Sequence, residues 1–212
     1  MSSVLRLRFP IFLAALAALA LSASTLPAYI DHLSEAEVIE AYTFAQRHDQ
    51  DLVKFFRTYE KSFPNARSGT WVSSIAIRTP FCSVVQNAFE KGSTYPMSRA
   101  REDYAAKPYG FAAIVSISTP FAAPWTANEL ADPKGRFWRQ FDVELSQNHR
   151  IAPGNSTARP LFSVGGDNAA IVGAELRLEY DVRDIASTMI QIRVTGPGTQ
   201  SVTADFDLDT LR

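Results

Sequence analysis

The spacing of apolar residues changes near Lys107, and this change limits the folds open to the chain. Before Lys107, apolar residues recur every three or four positions, as on one face of a helix. After it they alternate with polar residues, as in a half-buried strand. The segment from Gly110 to Ser118 is almost continuously apolar, which is typical of a central strand covered on both faces. The chain is therefore expected to combine N-terminal helices with C-terminal strands.

Four segments of the second half alternate with period two, and turn residues separate them. They are residues 137–146, 174–182, 190–195 and 202–209, with a shorter candidate strand at 161–164. Because sequential strands joined by short turns usually pair antiparallel, we predict an α+β fold. Its N-terminal helices pack on a mainly antiparallel C-terminal β-sandwich or curved sheet. Residues 25–108 form a mainly helical segment with one strand, residues 109–212 a mainly antiparallel β region, and the two make one globular unit.

The first helical boundaries are set by capping residues. Ser34 and Glu37 form a capping box, in which each side chain can bond to the backbone amide of the other residue. The apolar stripe over residues 38–63 is interrupted near its centre. It therefore predicts either one long helix or two helices broken near His48, and Pro64 ends it.

A strand over residues 71–78 and two further helices are expected next. Thr79 can cap a helix that starts at Pro80, where a missing amide costs little, and Gly92 is placed to end that helix. Ser98 is the expected cap of a second, shorter helix.

Residues 1–24 have the features of a secretory signal peptide. Arg6 and Arg8 precede an uncharged run of 15 residues, Phe9 to Ala23, and small residues follow it. A membrane-spanning helix needs about 20 residues. We therefore predict cleavage before Thr25 and an exported protein, periplasmic or extracellular, with no stable membrane insertion. An uncleaved N-terminal anchor is the alternative, because the uncharged stretch continues beyond the run.

The charge of the chain argues against two classes of partner. The sequence has 21 basic and 22 acidic side chains, and removal of residues 1–24 takes away Arg6 and Arg8 and no acid. The remaining 19 basic and 22 acidic side chains give a net charge of −3. No basic stripe is left for a nucleic acid and no polybasic patch for a membrane surface.

Few residues are candidates for chemistry. Cys82 is the single cysteine and is interpreted as a semi-buried small hydrophobe, with a reactive thiol or a crosslink between chains as the alternative. The three histidines are too scattered for a zinc site, and no phosphate-binding or dinucleotide-binding motif occurs. Asp205, Asp207 and Asp209 alternate along one strand without the glycine and glutamate of a calcium loop. We therefore expect no metal and no cofactor.

One loop is the strongest candidate for ligand binding. The stretch 119–136 is longer than most loops and holds Trp125, and Trp138 falls on the polar face of the strand expected after it. Exposed aromatic rings can stack on a sugar or dock a partner protein. We therefore predict binding at Trp125 and Trp138, with a carbohydrate or a protein as the partner. Burial of both rings against the core is the alternative.

Three functions remain open from the sequence. The lack of catalytic motifs favours an exported, non-enzymatic binding or interaction module. The first alternative is an extracytoplasmic hydrolase that uses the carboxylates of Asp142 and Glu144 near His149. The second is a membrane-tethered accessory protein with an uncleaved N-terminal anchor.

Overall fold

The fold is mixed α+β with antiparallel sheets, which confirms the predicted class. A computed structural model describes residues 32–66, 69–120, 136–165, 168–186 and 188–212, so the signal segment and Trp125 lie outside the described residues. Within these ranges lie four α-helices: α1 (Glu35–Ala45), α2 (Gln50–Thr58), α3 (Pro80–Lys91) and α4 (Met97–Ala106). The strands of the same ranges are β1 (Glu60–Ser62), β2 (Trp71–Arg78), β3 (Phe111–Ser118), β4 (Asp142–Gln147), β5 (His149–Ile151), β6 (Asn155–Gly165), β7 (Asn168–Tyr180), β8 (Met189–Thr195) and β9 (Ser201–Asp207).

The strands form two antiparallel sheets. The five-stranded sheet has the order β1-β2-β3-β7-β6, and the four-stranded sheet has the order β5-β4-β8-β9. β3 lies between β2 and β7, so the apolar run that predicted a central strand is confirmed. β1 and β2 come from the mainly helical segment, yet they share a sheet with β3, β6 and β7 of the second half.

Side-chain caps begin the first three helices. The capping box is present, because the amide of Ser34 donates to the Glu37 carboxylate at 2.7 Å and the amide of Glu37 donates to Ser34 Oγ at 3.3 Å. Asp49 caps α2, and His48 before it has a φ of 51°, so the two-helix version of the prediction is correct. Thr79 caps α3 as predicted.

Two predicted helix boundaries are wrong. α2 ends at Thr58 rather than near Pro64, because residues 60–62 pair with β2 as a short edge strand and bond their backbone there. α4 begins at Met97 and has no side-chain cap, so the assignment of Ser98 as the cap is wrong. The helix starts directly after Pro96, whose extended backbone already separates it from the preceding turn.

Several strand boundaries also differ from the sequence pattern, among them the start of β7 at Asn168 instead of residue 174. Residues 137–140 form a 3₁₀-helix instead of the start of a strand, and β4 begins at Asp142. β6 begins at Asn155, well before the expected 161–164, and it tolerates Pro160 because an edge strand leaves one side unpaired. β9 ends at Asp207, after which the chain turns into a short 3₁₀-helix.

The buried side chains form two clusters. The larger one joins both sheets, since it includes Ile75 and Val115 of the five-stranded sheet and Leu145 and Ile192 of the four-stranded sheet. The smaller one draws on all four helices and includes Val38, Leu52, Val85 and Tyr104.

Candidate functional site

Trp138 is buried, in contrast to the exposed position that strand alternation suggested. It lies in the 3₁₀-helix of residues 137–140, where consecutive side chains do not alternate between two faces as in a strand, and it is 7% exposed. Its ring meets that of Phe137 edge to face, with 5.2 Å between the centroids. Trp138 is therefore a wall residue of the cleft described next, and its role in binding stays a prediction.

A cleft of about 690 Å³ lies beside Trp138 and is lined by residues of both sheets. Its walls contain five large apolar side chains: Trp138, Phe141, Val143, Leu176 and Leu178. All five are buried, and a volume of this size is typical of sites for small ligands. The cleft can therefore take up the apolar part of a small molecule.

The inner face of β6 opens the cleft to solvent. Ser156 pairs with Leu178 and Ala158 pairs with Leu176, so these two side chains of β6 lie on the same face as the buried leucines of β7. Both Ser156 and Ala158 are nevertheless exposed and line the cleft. The edge strand thus extends beyond the side chains that cover its neighbour, and a ligand can enter along it.

Three arginines and one acid stand around the apolar walls. Arg150 pairs with Asp142 at 4.0 Å, and both side chains are largely exposed, so this pair is weak. Arg136 is half-buried and Arg139 is exposed, and neither makes an ion pair with a carboxylate of the described residues. The four side chains together carry a charge of +2, which favours an anionic group at the cleft.

The structure does not bring His149 together with Asp142 and Glu144, as the hydrolase alternative requires. His149 pairs with Gln147 across the β4–β5 turn, so it belongs to the same face of β4 as Val143 and Leu145. Asp142 and Glu144 alternate with those residues and belong to the opposite face. In the described part of the chain, His149 has no hydrogen bond to either carboxylate.

The environment of Cys82 matches a structural role for the thiol. The side chain is fully buried at the start of α3. Burial raises the pKa of the Cys82 thiol to about 12, although a hydrogen bond with Arg78 and its positive charge act in the opposite direction. A thiol in this state is protonated at neutral pH and therefore a poor nucleophile.

The three C-terminal aspartates do not share one strand face. Asp205 accepts a hydrogen bond from Gln191 Nε2 at 3.0 Å, whereas Asp207 accepts one from the amide of Asp209 at 3.1 Å and caps the 3₁₀-helix. Asp209 lies inside that helix. Across the ranges that the structure covers, no three His, Cys, Asp or Glu side chains are placed to hold a metal ion.

Sequence reasoning found Trp138 but missed the features that make a cleft around it. Arg136 and Arg139 precede β4, Arg150 follows it, and no local motif joins them. The first half of β6 was missed as well, because the first six residues of this strand include polar residues and a proline. Its exposed inner face could therefore not be predicted. One local signal for β6 was present in the sequence. The glycines near residues 165–168 are typical of a hairpin turn, and a hairpin requires a strand directly before its turn.

Comparisons with known proteins add little to this description. No family model and no curated protein matches the chain. A crystal structure of a novel protein of unknown function from Burkholderia pseudomallei is similar over 81% of this chain and 90% of that chain, with 14% sequence identity and a TM-score of 0.35. Among the described residues, no helix combines the length and the apolar character that a membrane span needs.

Proposed function

We propose that this protein is an exported, non-enzymatic binding module and that its cleft binds a small amphipathic anion. The ligand would have an apolar chain or ring and one carboxylate, as a medium-chain fatty acid has. The observation that carries the proposal is the combination, in one cleft of about 690 Å³, of five large apolar wall residues with an excess of two positive charges.

The apolar walls and the arginines contribute in different ways. Transfer of apolar ligand surface from water to the walls provides binding free energy at roughly 25 cal/mol per Å² of buried surface. Arg136 and Arg139 would orient the ligand, because a guanidinium can donate two parallel hydrogen bonds to one carboxylate. An uncharged ligand of the same shape would lose only the second contribution.

We infer that the two sheets are the layers of a β-sandwich, with the helices packed on one end. Support comes from the single buried cluster to which both sheets contribute, and from the separate cluster of the helices. In this arrangement the cleft is the place where the edge strand β6 is not covered by the second layer. A rigid pair of sheets would hold the cleft open without a ligand.

Export is part of the same proposal. The positive start and the 15-residue apolar run of residues 1–24 support a cleaved signal peptide, with the mature protein beginning near Thr25 in the periplasm or outside the cell. Mass spectrometry of the exported protein tests this directly. A species that retains Arg6 and Arg8 would instead support the anchored accessory protein.

Binding can be tested with three ligands of one chain length but different charge. Isothermal titration would compare decanoate and decyltrimethylammonium below their micelle concentrations with decanol below its solubility limit. We expect decanoate to bind about tenfold or more tightly than decanol, since a hydrogen bond to a charged group contributes roughly 1.5–3 kcal/mol. Equal binding of decanoate and the cationic ligand, or tight binding of a neutral trisaccharide instead, would refute the proposed ligand class.

Variants separate the two contributions. The double variant R136Q/R139Q should reduce decanoate affinity to that of decanol and leave decanol unchanged. Ala158→Trp should block both ligands, because residue 158 lines the cleft where it opens. The matched control is Arg193→Gln, which removes an exposed arginine of β8 that does not line the cleft. Circular dichroism would verify that each variant is folded.

A further inference from the structure

A second groove lies on the opposite, outer face of the five-stranded sheet. Ser74 pairs with Ser116 across β2 and β3, and Ala76 pairs with Ile114 in the next row. These side chains point away from the cluster that holds Ile75 and Ile77, because neighbours along a strand alternate between the two faces. Small residues at the centre of the face leave a depression of about 650 Å³.

One face of α3 forms the side wall of this groove. Four polar residues at helical spacing line it: Ser83, Gln86, Asn87 and Glu90. The opposite face of α3 carries Val84, Val85 and Ala88 into the helical cluster, so the wall is held by buried apolar contacts. The groove thus has a fixed floor and a fixed wall.

Arg78 is a half-buried cation in this groove without an anionic partner. Its Nη1 donates to the carbonyl oxygen of Ile77 at 3.0 Å, and its Nε donates to Gln86 Oε1. Gln86 in turn donates to Glu90 Oε1 at 2.6 Å. Among the described residues Arg78 makes no ion pair, so its guanidinium is held in place but its charge is not neutralised.

The other two arginines of the groove are already neutralised. Arg159 donates to both carboxylate oxygens of Glu175, at 3.0 and 3.1 Å. Arg177 donates to Glu179 at 2.9 Å. Among the described arginines that line the groove, Arg78 is therefore the one without a carboxylate partner.

Two carboxylates of the groove also lack an ion pair with any described residue. Glu60 lies on β1 opposite Ala76, one row from Arg78, and its carboxylate makes no hydrogen bond or ion pair with the residues described. Glu90 accepts its hydrogen bond from the neutral amide of Gln86. The hydroxyls of Ser74 and Ser83 line the same groove, and neither is bonded to another side chain of the described ranges.

From these observations we infer that the groove is a second binding site, for a free amino acid with a basic side chain. The carboxylate of the ligand would meet Arg78 and the two serine hydroxyls, and its two cationic groups would meet Glu60 and Glu90. One unpaired positive charge and two unpaired negative charges are the complement of such a ligand. A simple anion would be repelled by the two glutamates, and a simple cation would be repelled by Arg78.

The spacing of the residues permits a ligand of this size. Diagonal neighbours on adjacent strands, such as Arg78 and Glu60, have backbones roughly 7–8 Å apart. A small ligand with opposite charges can therefore contact both side chains at once. The floor of this groove lies on the outer face of the sheet, and the proposed amphipathic cleft lies on its inner face. Among the described residues the two linings share Thr157 and Ala158 of the edge strand β6, whereas Arg78, Glu60 and Glu90 line the groove and not the cleft.

Titration of the full mature chain with L-lysine, cadaverine and L-glutamate tests the assignment. Cadaverine keeps the two cationic groups of lysine but lacks the carboxylate, and glutamate reverses the side-chain charge. We expect lysine to bind at least tenfold more tightly than cadaverine, and glutamate to bind more weakly than either. Glutamate binding as tight as lysine binding, or no binding of any of the three, would overturn the assignment.

Variants identify the residues involved. Arg78→Gln should reduce lysine affinity about tenfold and leave cadaverine binding unchanged or stronger. Glu60 lies on an exposed edge strand, so we expect Glu60→Gln to fold normally. This variant should reduce the affinity for both lysine and cadaverine. Arg193→Gln on the other sheet should change neither. If Glu60→Gln and Arg193→Gln bind lysine alike, the assignment is wrong even if Arg78→Gln does not fold.

Discussion

Leu176 and Leu178 lie on the inner face of β7, whereas Glu175, Arg177 and Glu179 lie on its outer face. The leucines are buried and line the amphipathic cleft beside Trp138. The charged residues are partly exposed and line or border the groove on the outer face of the five-stranded sheet, here called the polar groove. One strand therefore contributes to the walls of two depressions of opposite chemistry. Strict alternation along a strand can thus give its two faces different surroundings, which is what the two proposed sites require.

The largest effect is expected at Gly173 of β7, where the backbone of β3 leaves no room for a side chain. A Cβ added at Gly173 would lie 2.2 Å from the carbonyl oxygen of Ile117. Gly173→Ala should lower the free energy of unfolding by about 3 kcal/mol, because the backbone must shift. Urea denaturation measures it. Gly154→Ala is the matched control, since its nearest atom would be 3.9 Å away, and an equal loss in both variants would contradict this account.

The inner face should be more sensitive than the outer face to removal of a side chain. Leu178→Ala removes a buried wall residue and should cost about 2 kcal/mol of unfolding free energy. Glu175→Gln weakens a pair with Arg159, whose side chain is 70% exposed while that of Glu175 is 22% exposed, and should cost about 1 kcal/mol or less. Urea denaturation of the two variants side by side is the measurement. If Glu175→Gln is less stable than Leu178→Ala, the inner face of β7 does not contribute more to stability than the outer face, and this expectation is wrong.

The smallest effect is a pH dependence of the outer face. The hydrogen bond from Arg177 lowers the pKa of Glu179 below its ordinary value, although partial burial acts in the opposite direction. A carboxyl whose pKa is lowered by folding stabilises the fold above its unfolded pKa, and this contribution is lost as the pH falls through the folded pKa. Because the pair is exposed, the contribution should be below about 1 kcal/mol.

Glu179→Gln tests this dependence. The variant should lose less unfolding free energy than the natural chain when the pH is lowered from 6 to 3. Arg193→Gln, which removes no carboxylate, should follow the natural chain. A Glu179→Gln variant that is as acid-sensitive as the natural chain would show that this pair contributes nothing to stability.

Much of the fold could be predicted from local patterns, and the exceptions have physical causes. Thr79 and Pro80 were sufficient to place the start of α3, because a cap acts on amides within three residues. The short strand β1 was missed, because residues 60–62 follow the helical stripe and become a strand only by pairing with β2. The 3₁₀-helix at residues 137–140 was also missed. Strand alternation places Phe137 and Trp138 on opposite faces, whereas in the 3₁₀-helix both are buried.

The candidate sites were less predictable than the fold. Trp138 was named from the sequence, and its burial agrees with the alternative in which the ring packs against the core. Trp125 stays an untested prediction outside the described residues. Arg78 and Glu60 of the polar groove are 18 positions apart in the sequence, and the pairing of β1 with β2 brings them to one face. No spacing rule connects such residues before the sheet is formed.

The sequence by itself determined the helix caps, the central strand β3, the change from helices to strands and the features of an export signal. Each of these depends on residues within a few positions of one another, where one hydrogen bond or one periodic face decides the outcome. Only the tertiary structure decided the strand order, the uncovered inner face of β6 and the grouping of the arginines and glutamates. These features depend on pairings between segments that are distant in the sequence. Such pairings are stabilised when apolar surface from several segments is buried together, and no single segment can show this by itself.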